Sequence, residues 1–318
     1  MAFRTFTRRL YSSSSVELNG MFIPLTTPFK ADQSICYESL GSNLKKYEKI
    51  PFKGYLVSGT TGESPYLSYQ ERVDLVKFVR ENTSKEKVII GGVTTESTRM
   101  SCDLTQELKK AGADGVLIML PFYFKRFMTE DAIMTHFTTL ADEGGLPVVV
   151  YNNPWVTGMD IGTPILAKLA RHPSIRGVKD SDVRKNTVTL METKGCNFDV
   201  LTGSAGYLLA SLMIGCSGGF NGLAGILGHE LCRICQLVEE KKFEEAIQLQ
   251  IKVSKPDVLD SDLNTVIKRS LINSYSAVVS SVQPTRIILS AKTGRGDDVS
   301  PRLSERTNGI IAETGKQM

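Results

Sequence analysis

The feature that most constrains the fold is a regular alternation of short apolar segments with longer segments of helical periodicity. Eight apolar segments, each six or seven residues long, are bounded by Gly, Pro, Asn or Asp, as buried strands are. They span residues 22–28, 54–59, 87–93, 115–121, 147–152, 175–180, 198–203 and 218–224. Strands that alternate with helices form a parallel sheet, and eight of them close an α/β fold of the (β/α)8 TIM-barrel type. An open doubly wound sheet is the alternative, but no G-x-G-x-x-G follows the first strand, which favours the barrel.

Helix signals occupy the segments between these strands. Ser68 and Glu71 have the spacing of a capping box, and apolar residues follow at helical spacing. Thr163 followed by Pro164 predicts an N-cap with proline in the first helical position. Gly112 follows a third apolar periodic segment and predicts the end of that helix.

Length and charge exclude several classes of protein. The chain has 318 residues, enough for one large domain or two ordinary ones. Its formal net charge of +4 is small and is not gathered into basic blocks, so nucleic acid is not predicted as a partner. No apolar segment approaches the length of a membrane span, so no membrane partner is predicted either.

The two ends of the chain differ in composition from the middle. Residues 1–17 contain Arg4, Arg8, Arg9 and a run of four serines, with no acidic residue before Glu17. That composition is typical of a mitochondrial transit peptide and predicts a mitochondrial location. Residues 18–259 are predicted to form the barrel, and residues 260–318 a divergent, partly disordered tail rich in polar residues and interrupted apolar runs.

Cysteine and histidine spacing gives no sign of a metal site. The six cysteines are scattered along the chain, which favours free thiols over a disulfide framework. Cys232 and Cys235 lie within a helical pattern without a second pair, so we interpret them as packing residues on one helix face. The three histidines are far apart, and the pair His229 and Glu230 lacks the second histidine of a zinc-protease helix.

Reactive side chains gather where the predicted strands end, which is where a barrel carries its chemistry. Lys179 ends the sixth strand, and an amine at the edge of a dry pocket is favoured in its neutral, nucleophilic form. An ordinary surface lysine is the alternative interpretation. The candidate site residues at strand ends are Thr60, Thr61, Tyr123, Tyr151, Lys179, Ser181 and Gly203.

Three of these candidates, Tyr151, Thr60 and Thr61, have roles that their positions suggest. Tyr151 ends the fifth strand, where it could act as a general acid/base or simply pack with a satisfied hydroxyl. Thr60 and Thr61 lie in a glycine-flanked turn whose backbone amides and hydroxyls could bind an anion such as a carboxylate. A turn with β-branched filler residues is the alternative for each threonine alone.

Three motifs at these strand ends resemble the dihydrodipicolinate synthase and N-acetylneuraminate lyase family of class I aldolases. They are residues 59–63 (GTTGE), 151–154 (YNNP) and 177–181 (GVKDS). They occur in the family's order and on the corresponding strands, and the resemblance covers residues 20–257. It implies a Schiff-base aldolase for a small 2-oxo acid that needs no metal or organic cofactor.

The resemblance also implies roles for individual residues. Lys179 would form the imine, and Tyr151 would move protons during its formation and during aldol cleavage. Thr60 would connect Tyr151 to a second tyrosine, which matches Tyr123 and reaches in from a neighbouring subunit of a homo-oligomer, either a dimer or a tetramer. Ser181 and Gly203 match positions that contact substrate.

The choice of substrate within the family is less sharply indicated. Residues 179–181 and 203–206, together with the leader, resemble the mitochondrial branch that cleaves 4-hydroxy-2-oxoglutarate to pyruvate and glyoxylate. Members of that branch have serine and asparagine where this chain has Thr60 and Thr61. Dihydrodipicolinate synthases have a substrate-binding arginine at the position of Val156. Alternatives are therefore dihydrodipicolinate synthase itself, an aldolase for 2-keto-3-deoxy sugar acids, or a non-catalytic ligand-binding paralogue.

Overall fold

Eight parallel strands close into a barrel in the order of the chain, and β8 completes the ring by pairing with β1. The computed structural model describes residues 16–30 and 32–258. The strands are β1 Gly20–Pro24, β2 Gly54–Val57, β3 Val88–Val93, β4 Gly115–Met119, β5 Val148–Tyr151, β6 Ile175–Asp180, β7 Asp199–Thr202 and β8 Gly218–Phe220. The predicted TIM barrel is confirmed, with strands mostly shorter than expected because several predicted ends belong to loops.

Helices follow the strands around the outside of the barrel. They are α1 Tyr37–Tyr47, α2 Tyr69–Glu81, α3 Thr98–Lys110, α4 Glu130–Glu143, α5 Pro154–Thr157, α6 Thr163–Leu169, α7 Val183–Glu192, α8 Leu208–Ile214, α9 Ala224–Glu239 and α10 Phe243–Val258. The capping box is confirmed, because Glu71 N–H donates to Ser68 Oγ and Ser68 N–H donates to the Glu71 carboxylate. Gly112 follows α3 with a φ of +98°, a left-handed conformation that suits glycine at a helix end.

The predicted N-cap of α6 is wrong by one residue. The helix begins at Thr163, and Gly162 is the N-cap. The carbonyl of Gly162 accepts the first helical hydrogen bonds, from the N–H groups of Ile165 and Leu166 at 3.1 Å each. Pro164 therefore lies one position further into the first turn, where its missing N–H still costs no helical bond.

The interior of the barrel is filled with side chains from alternate strand positions. They are Phe22, Leu56, Ile90, Leu117, Val149, Leu201 and Phe220. Val16 and Leu18, which precede β1, join this cluster, and Val16 lies beside the start of β4. Glu17 forms an ion pair with Lys53 at 2.5 Å. Val16 and Glu17, which fall within the predicted leader, thus contact the barrel, and the filled interior leaves only the carboxyl ends of the strands for a site.

The cysteines behave as packing residues. All six are free, as predicted. Cys232 is buried on α9, Cys235 is half-buried on the same helix, and both pack against the outer core between strands and helices. Burial raises the pKa of the Cys232 thiol to about 12, which suits an unreactive thiol.

Within the described residues, no helix has the length and apolar character needed to cross a membrane. The same part of the chain brings together no group of three or more His, Cys, Asp or Glu side chains that could hold a metal ion. Residues 1–15 of the predicted leader and the predicted tail from residue 260 lie outside the described residues, so those two expectations stay predictions.

We predict that His136 makes the protein less stable in mild acid. This side chain on α4 is 2% exposed, its Nδ1 lies 2.8 Å from Thr98 Oγ1, and burial lowers its pKa from 6.5 to about 4. Between those two values the unfolded chain binds a proton that the folded chain does not, so stability falls as the pH drops below about 6.5. We expect His136 to contribute a loss of about 2 kcal/mol in the free energy of unfolding between pH 7 and pH 5.

Urea unfolding at the two pH values checks this prediction. The variant His136→Gln should show a smaller difference between pH 7 and pH 5 than the unmodified protein. His172→Gln is the matched control, because His172 is only half-buried and lies beside the exposed carboxylate of Asp142. An unchanged pH dependence in His136→Gln would show that another group is responsible.

Candidate active site

Lys179 and Tyr151 lie side by side at the carboxyl ends of neighbouring strands. They are paired in register at the ends of β6 and β5. Lys179 is only 7% exposed, and its Nζ lies 4.1 Å from the centroid of the Tyr151 ring. The ring of Tyr151 packs against the cluster that fills the barrel. The structure therefore places the lysine inside the mouth of the barrel rather than on the surface.

The environment of Tyr151 favours proton transfer. Burial raises the pKa of the phenol, but the ammonium of Lys179 and polar contacts with Thr60, Lys179 and Asn153 outweigh burial and lower the pKa below its usual value. Asn153 Nδ2 donates to the Tyr151 hydroxyl at 2.9 Å. The buried Thr60 hydroxyl is close to the phenol, although the two do not reach the geometry of a full hydrogen bond. A phenol with a lowered pKa exchanges protons more readily near neutral pH.

The turn after β2 carries Thr60 and Thr61 and is tightly fixed. Its own backbone closes it, through hydrogen bonds from Gly62 N–H to Gly59 and from Glu63 N–H to Thr60 at 3.0 Å each. The hydroxyl of Thr27 donates to the Gly62 carbonyl at 2.6 Å and ties the turn to the loop after β1. Thr61 is buried in this turn, while Thr60 is half-buried with its hydroxyl directed towards Tyr151.

Gly203 packs closely against Ser181 and the side chain of Lys179. Its N–H donates to the Asp180 carbonyl at 3.1 Å, which holds the end of β7 against the end of β6. A Cβ atom at this position would lie 2.3 Å from Ser181 Oγ and 3.2 Å from Lys179 Cε. Ser181 is exposed at the mouth of the barrel. The lack of a side chain at residue 203 thus lets Ser181 Oγ lie beside the side chain of Lys179.

Tyr123 does not join the other predicted site residues in its own chain. Its side chain is 75% exposed and its ring lies 4.9 Å from the ring of Phe124. Glu96 fixes the backbone of the loop that carries Tyr123. Its Oε2 accepts hydrogen bonds from the N–H groups of Phe122 and Tyr123 at 2.9 Å each. The structure thus brings together Lys179, Tyr151, Thr60, Ser181 and Gly203, with Thr61 packed in the adjoining turn.

A buried polar cluster behind the lysine was missed by sequence reasoning. Asn152 N–H donates to the Lys179 carbonyl at 3.0 Å, and Asn152 Nδ2 donates to Asp160 and Asp180 at 2.7 Å each. Lys185 on α7 pairs with Asp160 and lies 3.4 Å from the Asp180 carboxylate. The available signal was that Asn152 and Asp180 each follow a candidate catalytic residue, so strand alternation directs both away from the barrel interior.

The chain belongs to the dihydrodipicolinate synthetase family, whose model matches residues 17–273, longer at both ends than the segment 20–257 that the motifs indicated. Members of this family are pyruvate-dependent aldolases and synthases. A 4-hydroxy-tetrahydrodipicolinate synthase from Haloarcula marismortui is 32% identical over 235 residues, which cover 73% of this chain and 76% of that relative. One from Archaeoglobus fulgidus is 31% identical over 255 residues, covering 79% and 86%.

Solved structures show the same fold. The 4-hydroxy-tetrahydrodipicolinate synthase of Methylacidiphilum fumariolicum has a TM-score of 0.84 at 24% identity, covering 94% of this chain and 97% of that one. YagE of E. coli, a family member solved in complex with pyruvate, has a TM-score of 0.82 at 22% identity, with 95% and 99% covered.

We predict that Gly203→Ala impairs use of a 2-oxo acid without unfolding the protein. The added methyl group would displace Ser181 Oγ and crowd Lys179 Cε, while the φ of Gly203 lies outside the left-handed region. We expect the rate of imine formation with pyruvate to fall by about ten- to a hundredfold. Borohydride trapping at several pyruvate concentrations measures this rate.

Gly41→Ala is the matched control. It makes the same chemical change within α1, where the new methyl group meets only Phe78 at ordinary contact distance. A Gly203→Ala protein with normal trapping would mean that Ser181 and Lys179 accommodate the added methyl group without loss of function.

Proposed function

We propose that the protein is a Schiff-base (class I) aldolase that binds a 2-oxo acid covalently through Lys179. The observation that carries this proposal is the buried Lys179 side chain, 4.1 Å from the Tyr151 ring centroid at the open end of the barrel. The close packing of Gly203 against Lys179 supports it, because a side chain at residue 203 would crowd the attacking amine. Membership of the family supports it further.

The residues suit each step of such a reaction. Lys179 gives up its ammonium proton, and the neutral Nζ attacks C2 of the 2-oxo acid to form a carbinolamine. A proton returned to the carbinolamine hydroxyl lets it leave as water, which gives the protonated imine. In the cleavage direction the 4-hydroxyl gives up its proton, the C3–C4 bond breaks, and an aldehyde departs while the bonding electrons move into the enamine. Protonation at C3 and hydrolysis of the imine then release pyruvate and restore the lysine. The same steps in reverse join pyruvate to an aldehyde.

Tyr151 is the group we assign to the proton transfers. Its hydroxyl, with its lowered pKa, lies next to Lys179, and the buried Thr60 hydroxyl helps to lower that pKa. The turn that contains Thr60 and Thr61 would bind the carboxylate of the 2-oxo acid through its amides and hydroxyls. Ser181 and Gly203 would complete the substrate contacts on the opposite side.

The identity of the aldehyde that is released from, or joined to, pyruvate is a separate part of the proposal. The relatives described above carry the name 4-hydroxy-tetrahydrodipicolinate synthase, which favours a synthase reaction over cleavage of 4-hydroxy-2-oxoglutarate to pyruvate and glyoxylate. The half-buried Val156 favours the cleavage, because it replaces the arginine that the family's synthases use for a substrate carboxylate. Parallel assays with 4-hydroxy-2-oxoglutarate, with pyruvate plus aspartate semialdehyde, and with 2-keto-3-deoxy sugar acids decide between these substrates.

Assembly and location belong to the same proposal. Tyr123, Phe124 and Phe127 expose large aromatic surfaces on one short segment, which supports a homo-oligomeric dimer or tetramer in which Tyr123 enters a neighbouring subunit's site. Residues 1–17 are proposed as a mitochondrial leader and residues 260–318 as a separate tail. Fusion of residues 1–17 to a fluorescent protein tests the proposed location. Size measurement of the purified chain tests the proposed oligomer.

We predict that pyruvate and borohydride modify Lys179. Reduction of the imine should add the mass of a reduced pyruvyl group to the peptide that contains Lys179, as read by mass spectrometry. Lys179→Ala should show no adduct. Lys168→Ala is the control, because Lys168 lies on α6 in a surface ion pair with Glu130. An adduct that persists in Lys179→Ala would assign the imine to another lysine.

We predict that Tyr151→Phe keeps the fold and slows turnover by about a hundredfold or more. The phenyl ring retains the packing against the barrel interior, while the hydroxyl next to Lys179 is lost. The pH profile of the rate should also change. In the unmodified protein one limb reports the titration of the Tyr151 phenol, at a pH below the usual tyrosine pKa, and Tyr151→Phe should lack this limb.

Steady-state kinetics across pH measure both effects. Tyr69→Phe is the control, because the Tyr69 side chain is exposed at the start of α2. Near-normal turnover in Tyr151→Phe would place the proton transfer elsewhere. A protein that forms the Lys179 adduct but turns over none of the substrates would be a ligand-binding paralogue.

A further inference from the structure

The turn that carries Gly203 is held from outside the barrel by a side chain of α10. Gln250 accepts a hydrogen bond from Leu209 N–H through Oε1 at 2.8 Å. Its Nε2 donates to the carbonyls of Ala205 at 3.0 Å and Gly206 at 3.2 Å. One carboxamide thus binds three backbone groups between the end of β7 and the first turn of α8.

These contacts supply the N-terminal cap that α8 lacks. The helix begins at Leu208 after Tyr207, which gives it no side-chain cap. The first N–H groups of a helix have no partner within the helix, and Leu209 N–H is one of them. Gln250, 41 residues further along the chain, therefore acts as its cap.

Ser254 extends the same arrangement by one helical turn. Its hydroxyl accepts from Gln250 Nε2 at 2.9 Å, which fixes the orientation of the carboxamide. The Gly206 carbonyl also lies 3.3 Å from the Ser254 hydroxyl. The oxygen of the carboxamide consequently faces Leu209 and its nitrogen faces the turn, an orientation that a lone glutamine would not keep.

The other end of the turn reaches the lysine. Gly203 N–H is bound to the Asp180 carbonyl, and the Cβ position of Gly203 is 3.2 Å from Lys179 Cε. The turn of residues 203–207 is therefore fixed by β6 at one end and by α10 at the other. A shift at the α10 end would move the backbone that lies against the reacting amine.

We propose that Gln250 is a positioning residue that sets the turn of residues 203–207 for binding the 2-oxo acid at Lys179. This inference rests on the proposed function. A turn that is free to move would bind the 2-oxo acid less well and present it to Lys179 in the wrong place more often. The effect should therefore appear in the dependence on pyruvate concentration more than in the stability of the barrel.

The experiment compares two methionine substitutions on the same helix. Gln250→Met keeps the length and helix propensity of the side chain but removes all its hydrogen bonds to the turn. Gln248→Met makes the same change two residues away, at an exposed glutamine that donates to Glu244 within α10. Borohydride trapping over a range of pyruvate concentrations, together with melting temperatures, is measured for both.

We expect the pyruvate concentration for half-maximal trapping to rise about tenfold in Gln250→Met and to stay unchanged in Gln248→Met. A lower melting temperature in Gln250→Met with a normal pyruvate dependence would show a merely structural role and overturn the inference. Absence of an adduct at Lys179 in the unmodified protein would overturn the proposed function and this inference together.

Gln250→Glu gives a second, independent readout. Its ionised carboxylate still accepts from Leu209 N–H but repels the carbonyls of Ala205 and Gly206. Protonation restores a donor to one of those carbonyls. Pyruvate binding by Gln250→Glu, relative to that of the unmodified protein, should therefore improve as the pH falls. A ratio that does not change with pH would contradict the positioning role.

Discussion

The pairing of the ends of β5 and β6 is the interaction on which the rest of the site depends. Asn152 holds the Lys179 carbonyl with its N–H and the Asp180 carboxylate with its side chain. Asp180 is 3% exposed, and Lys185 provides its nearby positive charge. Loss of the charge partner of a buried carboxylate costs on the order of 3–5 kcal/mol, so this cluster resists sliding of one strand against the other. The distance between Lys179 and Tyr151 is set by that rigidity.

The filled barrel interior explains why the rigidity of the β5 and β6 ends matters at the carboxyl end of the barrel. Phe22 and Phe220 stack at 4.6 Å inside the barrel, and Val16 and Leu18 close its amino-terminal end. This packing extends up to the ring of Tyr151, which forms its upper boundary. The proposed chemistry therefore lies above it, at the strand ends and in the loops that follow them.

Sequence reasoning located residues whose position follows from their own strand. The strand period and the rule that chemistry sits at carboxyl ends were enough to select Lys179 and Tyr151. Contacts between distant elements gave no local signal. Lys185 approaches Asp180 from α7, and Gln250 caps α8 from α10, so neither could be found from spacing alone. The outward position of Tyr123 likewise depends on how Glu96 holds its loop.

The proposed imine site and the position proposed to select the aldehyde lie on different elements. Lys179 and Tyr151 lie on strands whose register is fixed by backbone pairing. Val156 lies on α5, a four-residue helix that ends at Gly158 in a left-handed conformation. A substitution at position 156 therefore changes a short surface turn and leaves the paired strands in place. The proposed imine chemistry and the proposed choice of aldehyde depend on elements that are held by different contacts, so one could change without the other.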